Sequence, residues 1–314
     1  LVPTAENLSR LLLKEVQPLF EDTTARPVAC HLSESPTSEA TAYEDGRVER
    51  HLWMDFSAAR RTHSPFLSDE QNLEYFGRAA SPSGHGHHYR LRVTLSGDVD
   101  RTHGMIYPEK ESRRILAELH EQLDHRNLST DIPQFQNMPM TTEMLSRFFY
   151  THLDAHMPVD RVKLYENENF FAEYSGDDIW TMAVVDEFHA SHRLHAEQLC
   201  DADNLAIFGK CNNPRGHGHL YQVECSITSK ANPETGTVYR LDDFFGIVGS
   251  QLERWKYTHL NLDTDDFAGR NTTGENIVDI LWSKLDAPLA GKLSRLRLWE
   301  TPNNRFTLRR SVNR

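Results

Sequence analysis

Phe208-Gly-Lys-Cys-Asn-Asn-Pro-Arg-Gly-His-Gly-His219 has a counterpart 132 residues upstream, Phe76-Gly-Arg-Ala-Ala-Ser-Pro-Ser-Gly-His-Gly-His87. The same interval separates Phe188-His-Ala-Ser-His192 from Phe56-Ser-Ala-Ala-Arg60. Further on, Leu123-Asp-His-Arg-Asn-Leu128 matches Tyr257-Thr-His-Leu-Asn-Leu262, and Glu166 matches Glu300, now at an interval of 134. So steady an interval over a whole domain marks an internal duplication. The first fifty residues join the pattern. Thr4-Ala-Glu-Asn-Leu8 resembles Thr141-Thr-Glu-Met-Leu145 and Thr273-Gly-Glu-Asn-Ile277, and Glu34-Ser-Pro-Thr-Ser resembles Glu300-Thr-Pro-Asn-Asn. The expected organisation is the second half of a repeat over 1–50, a full repeat with altered motifs over 51–175, and a second full repeat over 179–314. The half-repeat is expected to be a truncated copy, with the alternative of an unrelated helix and strand.

Each full repeat reads as strand, strand, helix, helix, strand, strand. A strand carries the FxAxx segment, and a loop follows it. After His-Gly-His, the stretches His88–Leu95 and Leu220–Ile227 alternate with strand period. Gly97-Asp98 and Ala231–Gly236 read as turns. Glu111–Gln122 and Leu241–Trp255 carry apolar residues at helical spacing, and the threonines at 141–142 and 272–273 open a second helix as N-caps. Arg161–Tyr165 with Phe170–Tyr174, and Arg295–Trp299 with Arg305–Arg309, close the repeats as strand pairs.

The composition is that of a soluble globular chain, with 38% apolar and 25% charged residues among 314. A net charge of -12 argues against nucleic acid or an anionic membrane as partner. Four cysteines without a CxxC pair make no disulfide framework, and no apolar run could span a bilayer. The opening amphipathic stretch lacks the features of a secretory signal, so a cytoplasmic location is expected.

His217 and His219, at i and i+2 on a strand, face one side, with Gly218 leaving room between them. His192 from a neighbouring strand would complete three neutral nitrogen ligands with one open position, the arrangement of catalytic zinc. A lone His-Gly-His would more often be a pair of surface histidines. Cys211, six residues before His217, could act there as thiolate base or nucleophile, or simply be a small buried hydrophobe.

These motifs, FGKCNNPRGHGHLYQVE with FHASHRL and WETPNN, closely resemble the 6-pyruvoyl-tetrahydropterin synthase family over 179–314, and with altered motifs over 51–175. The five residues between the cysteine and His-Gly-His look like the 6-pyruvoyl branch rather than the 6-carboxy-tetrahydropterin synthases. The resemblance implies an α+β tunnelling fold: tandem units, each a four-stranded antiparallel sheet with two helices on one face. Such units join edge to edge into a barrel, and barrels stack as a homo-oligomer. It implies one Zn2+ in the last repeat on His192, His217 and His219, catalysis by Cys211, and a pterin anchor at Glu300. Glu166, Glu34, Thr273 and Glu275 are further substrate-binding candidates. The reaction implied converts 7,8-dihydroneopterin triphosphate to 6-pyruvoyl-tetrahydropterin with release of triphosphate. Lys210, Arg215 and Arg193 are candidates for the triphosphate. Two other readings are a 6-carboxy-tetrahydropterin synthase of deazapurine synthesis and a non-catalytic pterin-binding or assembly module.

The repeats depart from the family pattern in complementary ways. The earlier repeat has Arg60 and Ala79 where the first zinc histidine and the cysteine belong, so no zinc is expected there. The last repeat has Thr258 before His259 where the family has Asp-His, and the earlier one keeps the pair as Asp124-His125. A composite site is therefore expected, with zinc and Cys211 from one repeat and Asp124 and His125 from the other. The plainer alternative has Asp124 capping a helix or pairing with Arg126, with His259 acting alone.

Overall fold

The structure is a computed structural model in which residues 2–310 are described; the last four positions of the final repeat lie outside the described residues. The chain divides into two units, residues 1–180 with 230–237, and residues 181–229 with 238–314. The first unit contains α1 (Ala5–Val16), β1 (Ala29–Ser35), β2 (Ser38–Tyr43), β3 (Val48–Arg60), α2 (Asp69–Phe76), β4 (His85–Ser96), α3 (Glu109–Leu123), β5 (Arg126–Asn127), α4 (Thr142–Asp154), β6 (Val159–Asn167) and β7 (Phe170–Tyr174). Then come β8 (Trp180–His192), α5 (Asp201–Phe208), β9 (His217–Ser229), α6 (Leu241–Glu253), β10 (Thr258–His259), α7 (Gly274–Leu285), β11 (Leu293–Thr301) and β12 (Asn304–Arg309).

In the first unit the strands run in the order β1-β2-β3-β4-β6-β7, antiparallel throughout, with the short β5 parallel to the end of β3. In the second the order is β8-β9-β11-β12, with β11 antiparallel to both neighbours and β10 parallel to the end of β8. The expected four-stranded sheet with two long helices is thus present in each full repeat. Residues 1–50 contribute α1 and the hairpin of β1 and β2.

Period-two patterning sorts the side chains. Leu91, Val93 and Leu95 of β4 enter a core with Ile115 and Leu119 of α3 and Leu145 and Phe149 of α4. Phe56 stacks on Tyr89 with ring centroids 5.0 Å apart, and Phe188 stacks on Tyr221 at 4.9 Å in the second unit. Each fully buried ring of this kind contributes about 1.5–3 kcal/mol. Between the apolar residues stand polar ones that find partners. Buried Glu49 holds Arg161, and buried His51 lies between Thr41 (2.8 Å) and Thr94 (3.1 Å). In the second unit Glu224 takes Arg295 at 3.0 Å and Arg297 at 3.2 Å.

Thr4, Thr141 and Thr273 cap α1, α4 and α7, each accepting a hydrogen bond from the backbone N–H three residues on. Two readings of the sequence need correction. The loops after the FxAxx strands contain the eight-residue helices α2 and α5, the first opened by a capping box between Ser68 and Gln71. The interval of 134 assigned to the segment around His125 is also wrong. The N–H of His125 bonds the Ser57 carbonyl, and the N–H of Tyr257 bonds the His189 carbonyl. Both residues have positive φ, 58° and 61°. β5 and β10 then pair Asn127 with Ala59 and His259 with Ser191. Tyr257 therefore stands in the place of His125, and His259 in the place of Asn127, at the original interval of 132. The two extra residues enter later, between α7 and β11.

Candidate active site

His192 is the last residue of β8 and is fully buried. Its Nδ1–H donates to the Thr272 carbonyl at 2.9 Å, which fixes the tautomer and leaves Nε2 bare. His217 and His219 open β9, and their rings lie 4.5 Å and 5.2 Å from that of His192. Nε2 of His192, Nδ1 of His217 and Nε2 of His219 are buried with no hydrogen-bond partner. The three residues can bring one nitrogen each within 4.8 Å of one another. Unpaired buried polar atoms are costly, so three aimed at one point call for an electrophile. A zinc ion fits this donor set. Burial pushes the His192 imidazole down to about 4, which keeps its nitrogen unprotonated and free to ligate.

Glu300 lies beside these nitrogens, 3.4 Å from His192 Nε2 and 3.8 Å from His219 Nε2. It sits where β11 and β12 shift register next to their hairpin turn, and Glu34 and Glu166 occupy the same irregularity in β1 and β6. A bulge re-aims a side chain that the regular pleat would send elsewhere. The outcomes differ: Glu34 is exposed, Glu166 buried, and Glu300 between the two. Beneath Glu300 lies Tyr221, fully buried, whose phenol is raised by burial first and then by the charges of Glu300 and Cys211. Sequence reasoning missed Tyr221. The available signal was its recurrence as Tyr89, two residues after each His-Gly-His.

Cys211 lies in a 3-10 turn, Gly209–Asn212, and is partly buried, its carbonyl accepting from the Leu194 N–H at 2.9 Å. Arg193 is committed locally, its Nε donating to Asn212 Oδ1 at 2.8 Å, whereas Lys210 and Arg215 are exposed. Gly216, with φ 71°, permits the close approach of His259: a Cβ there would come 2.6 Å from His259 Nε2 and 3.0 Å from the His192 carbonyl. His259 Nδ1 accepts from the Asn261 N–H at 3.3 Å. Thr273 caps α7, and Glu275 is exposed in its first turn.

The first unit carries the dyad. Asp124 accepts from the Ser57 N–H at 2.8 Å through Oδ1, and its Oδ2 lies 2.6 Å from His125 Nδ1. The Ser57 amide first, and then His125, hold the Asp124 carboxyl below its usual range. The Asp124–Arg126 pairing is not among the ion pairs found for the described residues. The second unit has Lys256 and Tyr257 in the corresponding places, with Tyr257 exposed and stacked on His189 at 5.7 Å. At the place of His192 in the first unit stands Arg60, buried and ion-paired with Glu166.

A sequence model of the 6-pyruvoyl tetrahydropterin synthase family matches residues 51–177 and again 181–311. The chain belongs to this family, in tandem form, and is an enzyme of its lyase class. The human 6-pyruvoyl tetrahydrobiopterin synthase is 38% identical over 128 residues, covering 40% of this chain and 88% of the relative. A putative 6-pyruvoyl tetrahydrobiopterin synthase of Caenorhabditis elegans is 37% identical over 131 residues, covering 41% of this chain and 94% of the relative. The solved structure of a Caenorhabditis elegans 6-pyruvoyl tetrahydropterin synthase is 36% identical, covering 42% of this chain and 96% of its own, with a TM-score of 0.41. Among the described residues, no helix is long and apolar enough to cross a membrane.

Proposed function

We propose that the chain is a zinc-dependent lyase that converts 7,8-dihydroneopterin triphosphate to 6-pyruvoyl-tetrahydropterin with elimination of triphosphate. The observation that carries this is the trio of unpaired nitrogens on His192, His217 and His219, with Glu300 beside them. Those histidines would hold the zinc, which when bound supplies Lewis-acid polarisation of the substrate's side-chain hydroxyls. The Glu300 carboxylate accepts two hydrogen bonds from the amino-pyrimidine edge of the pterin and so sets the side chain's position. Cys211 moves protons at the side-chain carbons. Thr273 and Glu275 extend the substrate contacts, and Glu166 and Glu34 are weaker candidates: one is engaged by Arg60 and the other is exposed. The tunnelling-fold units would close into barrels through their sheet edges, which would leave no edge strand exposed.

We further propose that Asp124 and His125 serve the same reaction as its proton relay, with the carboxylate orienting the imidazole. The corrected interval strengthens the case, because the last repeat offers Lys256 and Tyr257 where the dyad belongs. Asp124→Asn is expected to lower turnover about tenfold or more with zinc content unchanged; unaltered turnover would refute the relay.

The deciding experiment is turnover of dihydroneopterin triphosphate by zinc-loaded protein, with products identified by mass. A 6-pyruvoyl product supports the reading. A 6-carboxy product assigns the same site to deazapurine synthesis, which the names of the relatives do not favour. No product from zinc-loaded protein leaves a pterin-binding module.

A further inference from the structure

The first unit contains a second cluster with the composition of a metal centre. His85, His87 and Glu166 each offer one ligand atom, all within 4.8 Å of one another. His85 Nδ1 and His87 Nε2 are buried and without a hydrogen-bond partner, as their counterparts in the second unit are. His87 Nε2 lies 3.2 Å from Glu166 Oε1, matching the 3.4 Å and 3.8 Å contacts of Glu300. The difference is the last residue of β3. Arg60 replaces histidine, and its guanidinium enters the cluster. It is ion-paired with Glu166, donates to Thr142 Oγ1 at 3.1 Å, and faces the Tyr89 ring at 5.8 Å. Burial lowers the basicity of both His85 and His87, and the charge of Arg60 lowers it further.

We propose that the Arg60 guanidinium is a built-in replacement for a metal ion: a covalently attached cation filling a divalent-metal site whose other groups are still in place. Three observations support it. The guanidinium is 2% exposed, so its charge is sited deliberately rather than left over from a surface residue. Glu166, the only acid of the cluster, is paired to it. Thr142 holds both members of the pair, and its place in the second unit is taken by Gly274, where a Cβ would strike Phe306 at 2.1 Å. The hydroxyl that braces the cation is therefore present in the unit with arginine and absent from the unit with histidine. The guanidinium meets the carboxylate through Nη2 alone, with its Nε and Nη1 buried and unpartnered, whereas a divalent ion would satisfy the carboxylate together with the two imidazoles.

The proposal rests on the zinc reading of the second unit, and metal stoichiometry separates the two. The full chain is purified, equilibrated with zinc, freed of excess by gel filtration and analysed for metal per chain. One zinc is expected for the wild type, two for Arg60→His, and none for His192→Arg, with folding followed by circular dichroism. No zinc in the wild type defeats the reading of the second unit and this proposal with it. One zinc in both the wild type and folded Arg60→His defeats this proposal alone, as does a wild type that binds two. Should Arg60→His fail to fold even with zinc, the reciprocal variant decides. His192→Arg that folds, binds no zinc and keeps its melting temperature in chelator sustains the exchange of cation for metal; failure to fold, or retained zinc, overturns it.

Discussion

In the first unit β3 ends in Arg60, and in the second β8 ends in His192, at equivalent positions on the same plan. Around both stand two histidines, a glutamate at a strand irregularity and a buried tyrosine. One site satisfies its glutamate from within the chain; the other leaves three nitrogens bare. The contrast teaches that one ligand position can be given to a cation of the chain while the framework around it is kept, provided the newcomer neutralises the buried carboxylate. Burial would raise the Glu166 carboxyl, but the Arg60 charge, and then His87, outweigh it and hold it below the usual range. The candidate residues are divided as well: Cys211 corresponds to Ala79, and Asp124-His125 to Lys256-Tyr257, at equivalent positions of the two repeats.

Three measurements sharpen or break this comparison. Cys211→Ala puts the first unit's residue into the second. It is expected to reduce turnover by about 10²–10⁴-fold with zinc retained; residual turnover near the wild-type rate would remove Cys211 from the chemistry. Arg60→Ala leaves Glu166 buried without its cation and is expected to cost about 3–5 kcal/mol in denaturant unfolding. Adding Glu166→Gln should recover part of that loss, and no recovery would mean that Arg60 acts by packing alone. The smallest effect concerns His51, buried in the first unit where the second has Ala183. Burial first, and then the Arg92 and Arg161 charges, depress the His51 imidazole far below its usual value. It stays neutral in the folded state and takes up a proton only on unfolding. Its contribution to stability is therefore intact above the ordinary histidine pKa of about 6.5 and is lost as pH falls below it, by up to about 1.4 kcal/mol per pH unit. His51→Gln should flatten the stability profile between about pH 6.5 and 5; an unchanged slope would assign the acid sensitivity to other groups.

Much of this was legible in the chain before any coordinates. The repeat interval located the strands, Thr141 and Thr273 announced their helices, and the spacing of His217 and His219 placed two imidazoles on one face. What escaped was governed by contacts over long separations or by accidental likeness. Thr258-His-Leu-Asn-Leu262 imitates Asp124-His-Arg-Asn-Leu128 two residues out of register, and tertiary contacts such as the bonds from Tyr257 to His189 and from His125 to Ser57 distinguish the true alignment. The helices α2 and α5 are too short for a helical period to stand out. Arginine in place of the first ligand was plain in the sequence, but its union with Glu166 spans 106 residues and has no local signature. The coupling of Arg193 Nε to Asn212 is likewise a tertiary fact.

The capture of Glu166 by Arg60 also bears on how the protein meets a changing supply of trace elements. An ion held by imidazoles can be stripped by a chelator or exchanged for copper, which binds such donors more tightly than zinc does. A side chain can be neither withdrawn nor substituted in that way. The first unit therefore keeps its interior filled in starvation and in excess alike, and under the zinc reading proposed above metal scarcity would silence the molecule without dismantling it.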